Sequence, residues 1–108
     1  MSVKLSSAPQ RLTIALGGEV DHHTAAAMRL EADAAIEAKL APKVRLDFCD
    51  VTFMDSSGVG FVLGRYRLVS SYGGQVEVTG LEPRLYKMMR MAGLERFVTL
   101  RKKEGKSK

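Results

Sequence analysis

The chain has 108 residues, of which 45% are hydrophobic and 27% are charged, a balance typical of one globular domain and not of a disordered or fibrous protein. Its formal net charge is +5, but five bases and one acid fall in the last eight residues, so the first hundred residues are nearly neutral. We therefore expect no direct nucleic-acid partner, and we divide the chain into a domain at residues 1–100 and a basic, solvated tail at residues 101–108.

Cysteine content and apolar runs indicate where the protein is found. The single cysteine, Cys49, cannot form an internal disulfide, which fits a reducing compartment. The first ten residues lack the basic start and the apolar run of a secretory signal. No apolar stretch is long enough to span a membrane, since Val59–Leu63 is interrupted by Gly60 and followed by Gly64 and Arg65. We expect a cytoplasmic protein without a membrane span.

The first half of the chain alternates between the periodicities of strands and helices. Arg11–Leu16 places every second residue on an apolar face and predicts a strand, which we expect to end at Gly17-Gly18. The segment Val3–Leu5 predicts a partner strand. Thr24 occupies the N-cap position of an amphipathic, alanine-rich helix that stops near Pro42.

The second half repeats this alternation. Strands are predicted at Lys43–Phe48, Gln75–Thr79 and Phe97–Leu100, with a helix at Ser57–Tyr72 and another that begins at Pro83. Strands separated by single helices imply the α/β class. The expected architecture is a four- to five-stranded mixed sheet with three or four helices mainly on one face.

Polar residues gather in two segments, Gly18–Thr24 and Phe53–Gly58. Each segment follows a predicted strand and precedes a predicted helix. Because parallel strands end at the same edge of a sheet, the two segments are expected to meet at one rim. This rim is the candidate functional site.

The second segment predicts a helix start with an unusual surplus of small polar residues. Asp55, Ser56 and Ser57 are all favoured N-cap residues, and one of them suffices to cap a helix. Gly58 is expected to leave the first turn uncovered. Because a helix N-terminus also accommodates a phosphate group, Ser56 is a candidate phosphoacceptor, with simple capping as the alternative interpretation.

The sequence at these two segments resembles a known family. Phe53–Gly60, followed by Leu63–Arg67, and the segment Gly18–Thr24 are similar to the STAS domain of anti-sigma factor antagonists, most of all to members that act in sporulation. The resemblance runs from about Arg11 to Leu100 and implies the STAS fold. It also implies that Ser56, the serine directly after the motif aspartate, is phosphorylated by an anti-sigma factor that is itself a serine kinase.

The resemblance further implies a switch that is not an enzyme and needs no cofactor. The unmodified protein would bind the kinase and release the sigma factor, phosphorylation would end this binding, and a serine phosphatase would reset the cycle. Glu19 and Asp21 would face a basic patch on the kinase. The full set of expected partner-binding residues is Glu19, Asp21, His22, Asp55, Ser56, Ser57 and Gly58.

Two enzyme interpretations and a metal site fit the sequence less well. A serine hydrolase built from Ser56, His23 and Asp55 lacks the glycine that a nucleophile elbow needs two places before the serine. Gly58, Gly60 and Gly64 do not have the spacing of a dinucleotide-binding loop, and we expect them to let the helix approach the sheet. Adjacent His22 and His23 without a third ligand do not predict a metal site. A STAS module of a stress-signalling scaffold or a transport accessory remains the alternative to an antagonist.

Overall fold

The computed structural model describes residues 1–104 and has five strands and three α-helices in that range. The four residues 105–108, the last part of the predicted basic tail, lie outside the described residues. A 3₁₀ helix, Leu94–Arg96, precedes the last strand. In chain order the other elements are β1 (Ser2–Ala8), β2 (Arg11–Val20), α1 (Ala25–Lys39), β3 (Lys43–Met54), α2 (Ser56–Ser70), β4 (Gln75–Leu81), α3 (Pro83–Met91) and β5 (Thr99–Lys102).

The strands form one mixed sheet, as predicted, and their order is β1-β2-β3-β4-β5. β1 pairs with β2 antiparallel, and every other neighbouring pair is parallel. Apolar residues alternate along the central strands and pack with the buried residues of all three helices in one core, which includes Ile14, Leu46, Phe48 and Val78. No helix within the described residues is long and apolar enough to cross a membrane.

Two strand ends differ from the prediction. Gly17-Gly18 does not end β2, because Gly18 adopts a φ of +81° at a shift in the β2–β3 register and the strand continues to Val20. The last strand lies at Thr99–Lys102 and not at Phe97–Leu100, so Arg101 and Lys102 belong to the sheet rather than to a frayed tail. The predicted boundary at residue 100 therefore divides β5.

The sheet face without helices is polar and carries a buried carboxylate. Glu77 of β4 pairs in register with Arg45 of β3, and its side chain is only 8% exposed. Its two oxygens accept hydrogen bonds from the Nε atoms of Arg45, at 2.6 Å, and Arg101, at 3.2 Å. Burial acts to raise the pKa of Glu77, but these two bonds outweigh it and hold the pKa below its ordinary value of 4.5. Through Glu77, the two arginines connect β3, β4 and β5.

Replacing this carboxylate is expected to destabilise the sheet. Glu77→Ala should lower the free energy of unfolding by about 1.5 kcal/mol at neutral pH, since it removes two hydrogen bonds to charged donors that are partly solvated. Because the folded-state pKa is lowered, the difference from wild type should shrink as the pH falls below 4.5. Urea unfolding measures it, with the exposed Glu31→Ala as control. Equal stability of the Glu77 variant and wild type at neutral pH would contradict this interpretation.

Candidate functional site

The rim of the sheet brings the two polar segments together, as predicted. The last residues of β2 and β3 lie side by side, with Glu19 opposite Phe53 and Val20 opposite Met54. The backbone N–H of Asp55 donates to the carbonyl oxygen of Val20 at 3.2 Å. The loop before α1 and the head of α2 therefore start from adjacent backbone positions.

The head of α2 is capped by Asp55, which leaves Ser56 free of that task. Asp55 has an extended backbone, and its Oδ1 accepts a hydrogen bond from the backbone N–H of Ser57 at 2.8 Å. This bond lowers the pKa of the Asp55 carboxyl below its ordinary value. Ser56 is the first residue of the helix and is exposed, whereas Ser57 is half-buried. The helix begins one residue earlier than predicted.

Two substitutions at Asp55 distinguish the helix-capping hydrogen bond of this side chain from its negative charge. Asp55→Ala should lower the free energy of unfolding by about 1 kcal/mol, because the N–H of Ser57 loses its acceptor. Asp55→Asn should stay within a few tenths of a kcal/mol of wild type, since asparagine caps helices about as well as aspartate. Urea unfolding of both variants tests this. An Asp55→Ala protein as stable as wild type would show that the cap contributes nothing.

Of the two expectations for Gly58, its close approach to the sheet is confirmed and the uncovered first turn is wrong. Gly58 is buried, so the expectation that it leaves the first turn of α2 uncovered is wrong. A Cβ at this position would collide with Cγ and Sδ of Met54, which is itself buried. Gly58 thus allows the head of α2 to sit directly on the end of β3.

The loop between β2 and α1 is held by its own side chains. Oδ1 of Asp21 accepts hydrogen bonds from the backbone N–H groups of His23, at 2.9 Å, and Thr24, at 3.1 Å. Desolvation acts to raise the pKa of Asp21, but these bonds outweigh it and lower the pKa below its ordinary value. The hydroxyl of Thr24 donates to the carbonyl oxygen of Glu19 at 2.9 Å and gives no side-chain cap to α1. The loop backbone therefore holds the Asp21 side chain in place, while Glu19 stays exposed.

His22, and not His23, connects the two segments. Its Nδ1 lies 3.6 Å from Oδ2 of Asp55, and the side chain is 72% exposed. The ring of His23 stacks on His22 with a centroid distance of 4.1 Å. Within residues 1–104, no three side chains of the metal-binding types His, Cys, Asp and Glu are grouped to hold an ion. The rim is an accessible charged surface with Ser56 at its edge.

Sequence reasoning missed two features beside this rim. Phe53, a large apolar residue at the end of β3, is exposed. Gly60 and Gly64 do not approach the sheet, because a Cβ at either position would meet nothing within 4 Å. They open onto a groove of about 390 Å³ between α1 and α2. The four-residue spacing of the two glycines on one helix face is the signal that could have indicated this groove.

Similarity to known proteins agrees with this geometry. The family model described as "Mlab, STAS domain" matches residues 3–101. The anti-sigma F factor antagonist of Paenibacillus polymyxa is 36% identical over 89 residues, which cover 82% of this chain and 76% of that protein. The anti-sigma-B factor antagonist of Listeria monocytogenes is 28% identical over 94 residues, which cover 87% of this chain and 82% of that protein.

Solved structures show the same fold. The anti-sigma factor antagonist SpoIIAA in its unphosphorylated form superposes with a TM-score of 0.78 at 30% identity, covering 92% of this chain and 87% of that chain. SpoIIAA of Bacillus in the phosphorylated form gives a TM-score of 0.72 at 30% identity, covering 92% and 90%. Family model, relatives and structures coincide over nearly the whole described chain. The chain therefore belongs to the STAS-domain family of anti-sigma factor antagonists.

Proposed function

We propose that this protein is an anti-anti-sigma factor whose unphosphorylated form binds an anti-sigma factor serine kinase and thereby releases the sigma factor. Phosphorylation of Ser56 switches this binding off, and a serine phosphatase restores it. The observation that carries the proposal is the exposure of Ser56 at the first position of a helix whose cap is supplied by Asp55. The existence of a relative in a phosphorylated form, SpoIIAA, supports it.

The rim supplies a surface on which a kinase can dock. Glu19, Asp21 and Asp55 give the rim three carboxylates, and such a surface is complementary to a basic patch on the partner. His22 and Ser57 complete this surface, while Gly58 acts from beneath by seating the helix head on Met54. We propose no catalytic residue and no cofactor for this chain, and a cytoplasmic location.

The switching step is a phosphoryl transfer in which this chain is the substrate. Oγ of Ser56 attacks the γ-phosphorus of ATP held by the kinase, the bond to the bridging oxygen breaks, ADP leaves, and the hydroxyl proton passes to a base of the kinase. The product carries a charge of about −1.5 to −2 at the N-terminus of α2. Because free N–H groups and the helix dipole stabilise an anion there, we expect the fold to persist. The new charge instead acts against the docked partner.

A reconstitution with purified components tests this function. The unphosphorylated protein, added to a complex of the anti-sigma factor and sigma factor from the same genome, should release the sigma factor, as seen by size-exclusion chromatography. With ATP present, the released state should decay as Ser56 becomes phosphorylated. Failure of the unphosphorylated protein to bind the anti-sigma factor would overturn the proposal.

A further inference from the structure

The groove between α1 and α2 is walled by residues with little or no side chain. Ala25 and Ala26 line it from α1, and Gly60 and Gly64 line it from α2. The two glycines have free space above them, unlike Gly58, which is packed against Met54. The groove is therefore open space next to the helix backbone, wide enough to accept a side chain from outside.

A buried arginine with unused hydrogen-bonding capacity lies in the lining of this groove. The side chain of Arg65 is only 6% exposed, and its Cζ lies 5.1 Å from the ring centroid of Phe61. Its Nε forms an ion pair with Oδ1 of Asp33 at 2.7 Å. Nη1 is buried and has no hydrogen-bond partner among residues 1–104. A buried guanidinium N–H without an acceptor is costly, so Arg65 keeps unused donor capacity and a buried positive charge beside the groove.

The charge around the groove is positive. Arg29 of α1 also lines it and is exposed. Burial lowers the pKa of Arg65, and the nearby charge of Arg29 lowers it further, against the opposing effect of Asp33. Asp33 balances one of the two guanidinium groups. The ligand that complements the second is a carboxylate, which arginine binds with paired hydrogen bonds.

The groove is continuous with the docking rim. His22 and Ser57 line its mouth, and both residues belong to the surface around Ser56. We propose that the groove receives an acidic side chain of the anti-sigma factor, held by the exposed Arg29 and attracted by the charge of the buried Arg65. This inference rests on the proposed function and identifies a second contact of the same partner. The rim is acidic and the groove is basic, so each would contact a partner surface of the opposite charge. The two contacts together would then fix the orientation of the partner.

This arrangement also connects the groove to the switch. A phosphate on Ser56 would stand directly before Ser57 and the groove mouth. It would repel an incoming carboxylate. Loss of the groove contact would add to the loss of contact at the rim itself.

Two substitutions test the groove without disturbing buried residues. Gly60→Leu should fill the groove, and Arg29→Glu should reverse its exposed charge. Each substitution is expected to raise the dissociation constant for the anti-sigma factor at least about tenfold. Arg29→Lys keeps the positive charge and should retain most of the affinity. Arg67→Glu and Ala27→Leu are matched controls, because both positions are exposed on the same two helices outside the groove. The controls should stay within about twofold of wild type. Calorimetric titration of the unphosphorylated proteins gives the constants, and circular dichroism verifies their folding.

The possible outcomes distinguish a failure of the groove proposal from a failure of the proposed function. Wild-type affinity in Gly60→Leu would overturn the groove as a contact. Weakened binding in Gly60→Leu with unchanged binding in Arg29→Glu would overturn the carboxylate as its occupant. If wild-type protein itself does not bind the anti-sigma factor, the proposed function fails and this inference fails with it.

Discussion

Full phosphorylation of Ser56 is expected to raise the dissociation constant for the anti-sigma factor at least about a hundredfold, which corresponds to about 2.8 kcal/mol. Ser56 is exposed on a rim that already carries the Asp55 carboxylate, so phosphorylation adds negative charge to the docking surface itself. A docked partner would have to bury a dianion that its surface does not neutralise, and one unpaired buried charge costs this much. Calorimetric titration of the modified and unmodified proteins measures the difference.

Substitutions in the serine pair provide the controls for this prediction. Ser56→Ala should bind the anti-sigma factor with wild-type affinity and keep that affinity after incubation with ATP, because it lacks the acceptor hydroxyl. Ser57→Ala should still lose its affinity when ATP is added, since Ser56 remains in place. If ATP weakens Ser56→Ala as much as wild type, the switch lies elsewhere in the molecule.

Gly58→Ala should lower the free energy of unfolding by about 1–3 kcal/mol, the usual range for overpacking a buried site. The added Cβ would collide with Met54, which is buried at the end of β3 and yields only through its flexible thioether. The helix head would have to shift away from the sheet, so phosphorylation of Ser56 should also slow. Urea unfolding and the initial rate of phosphorylation measure the two effects.

Gly60→Ala, two residues further along the same helix, is the matched control. A Cβ at Gly60 would meet nothing within 4 Å. The substitution should therefore leave the stability unchanged or raise it by up to about 1 kcal/mol, because alanine favours a helix over glycine. If both alanine variants were equally stable, close packing of Gly58 on Met54 would not position the helix head.

Hydrophobic periodicity was sufficient to predict the sheet and the rim. The alternation of Val44, Leu46 and Phe48 indicated which face of β3 is buried, and these residues do lie in the core. The order of strands and helices then required the two polar segments to share an edge. The close approach of His22 and Asp55 confirms that juxtaposition.

Other features depended on interactions that no local pattern encodes. The strand β2 passes through Gly18 because a register shift against β3 absorbs its left-handed conformation, and a sequence alone does not show the partner strand. Arg101 belongs to β5 because this segment pairs with β4, with Leu100 opposite Val78 and Lys102 opposite Leu81, a partner 21 or more residues earlier in the chain. Gly58, Gly60 and Gly64 look alike in the sequence, but tertiary packing buries one and leaves the other two beside a groove.

We propose that the hydroxyl of Ser56 is the group through which this protein is switched. The most direct test is to incubate the protein with its anti-sigma factor and ATP and to map the phosphate by fragmentation mass spectrometry of the peptide that contains residues 53–58. We predict one phosphate per chain, on Ser56. Phosphate on Ser57, or on a residue outside this peptide, would contradict the account.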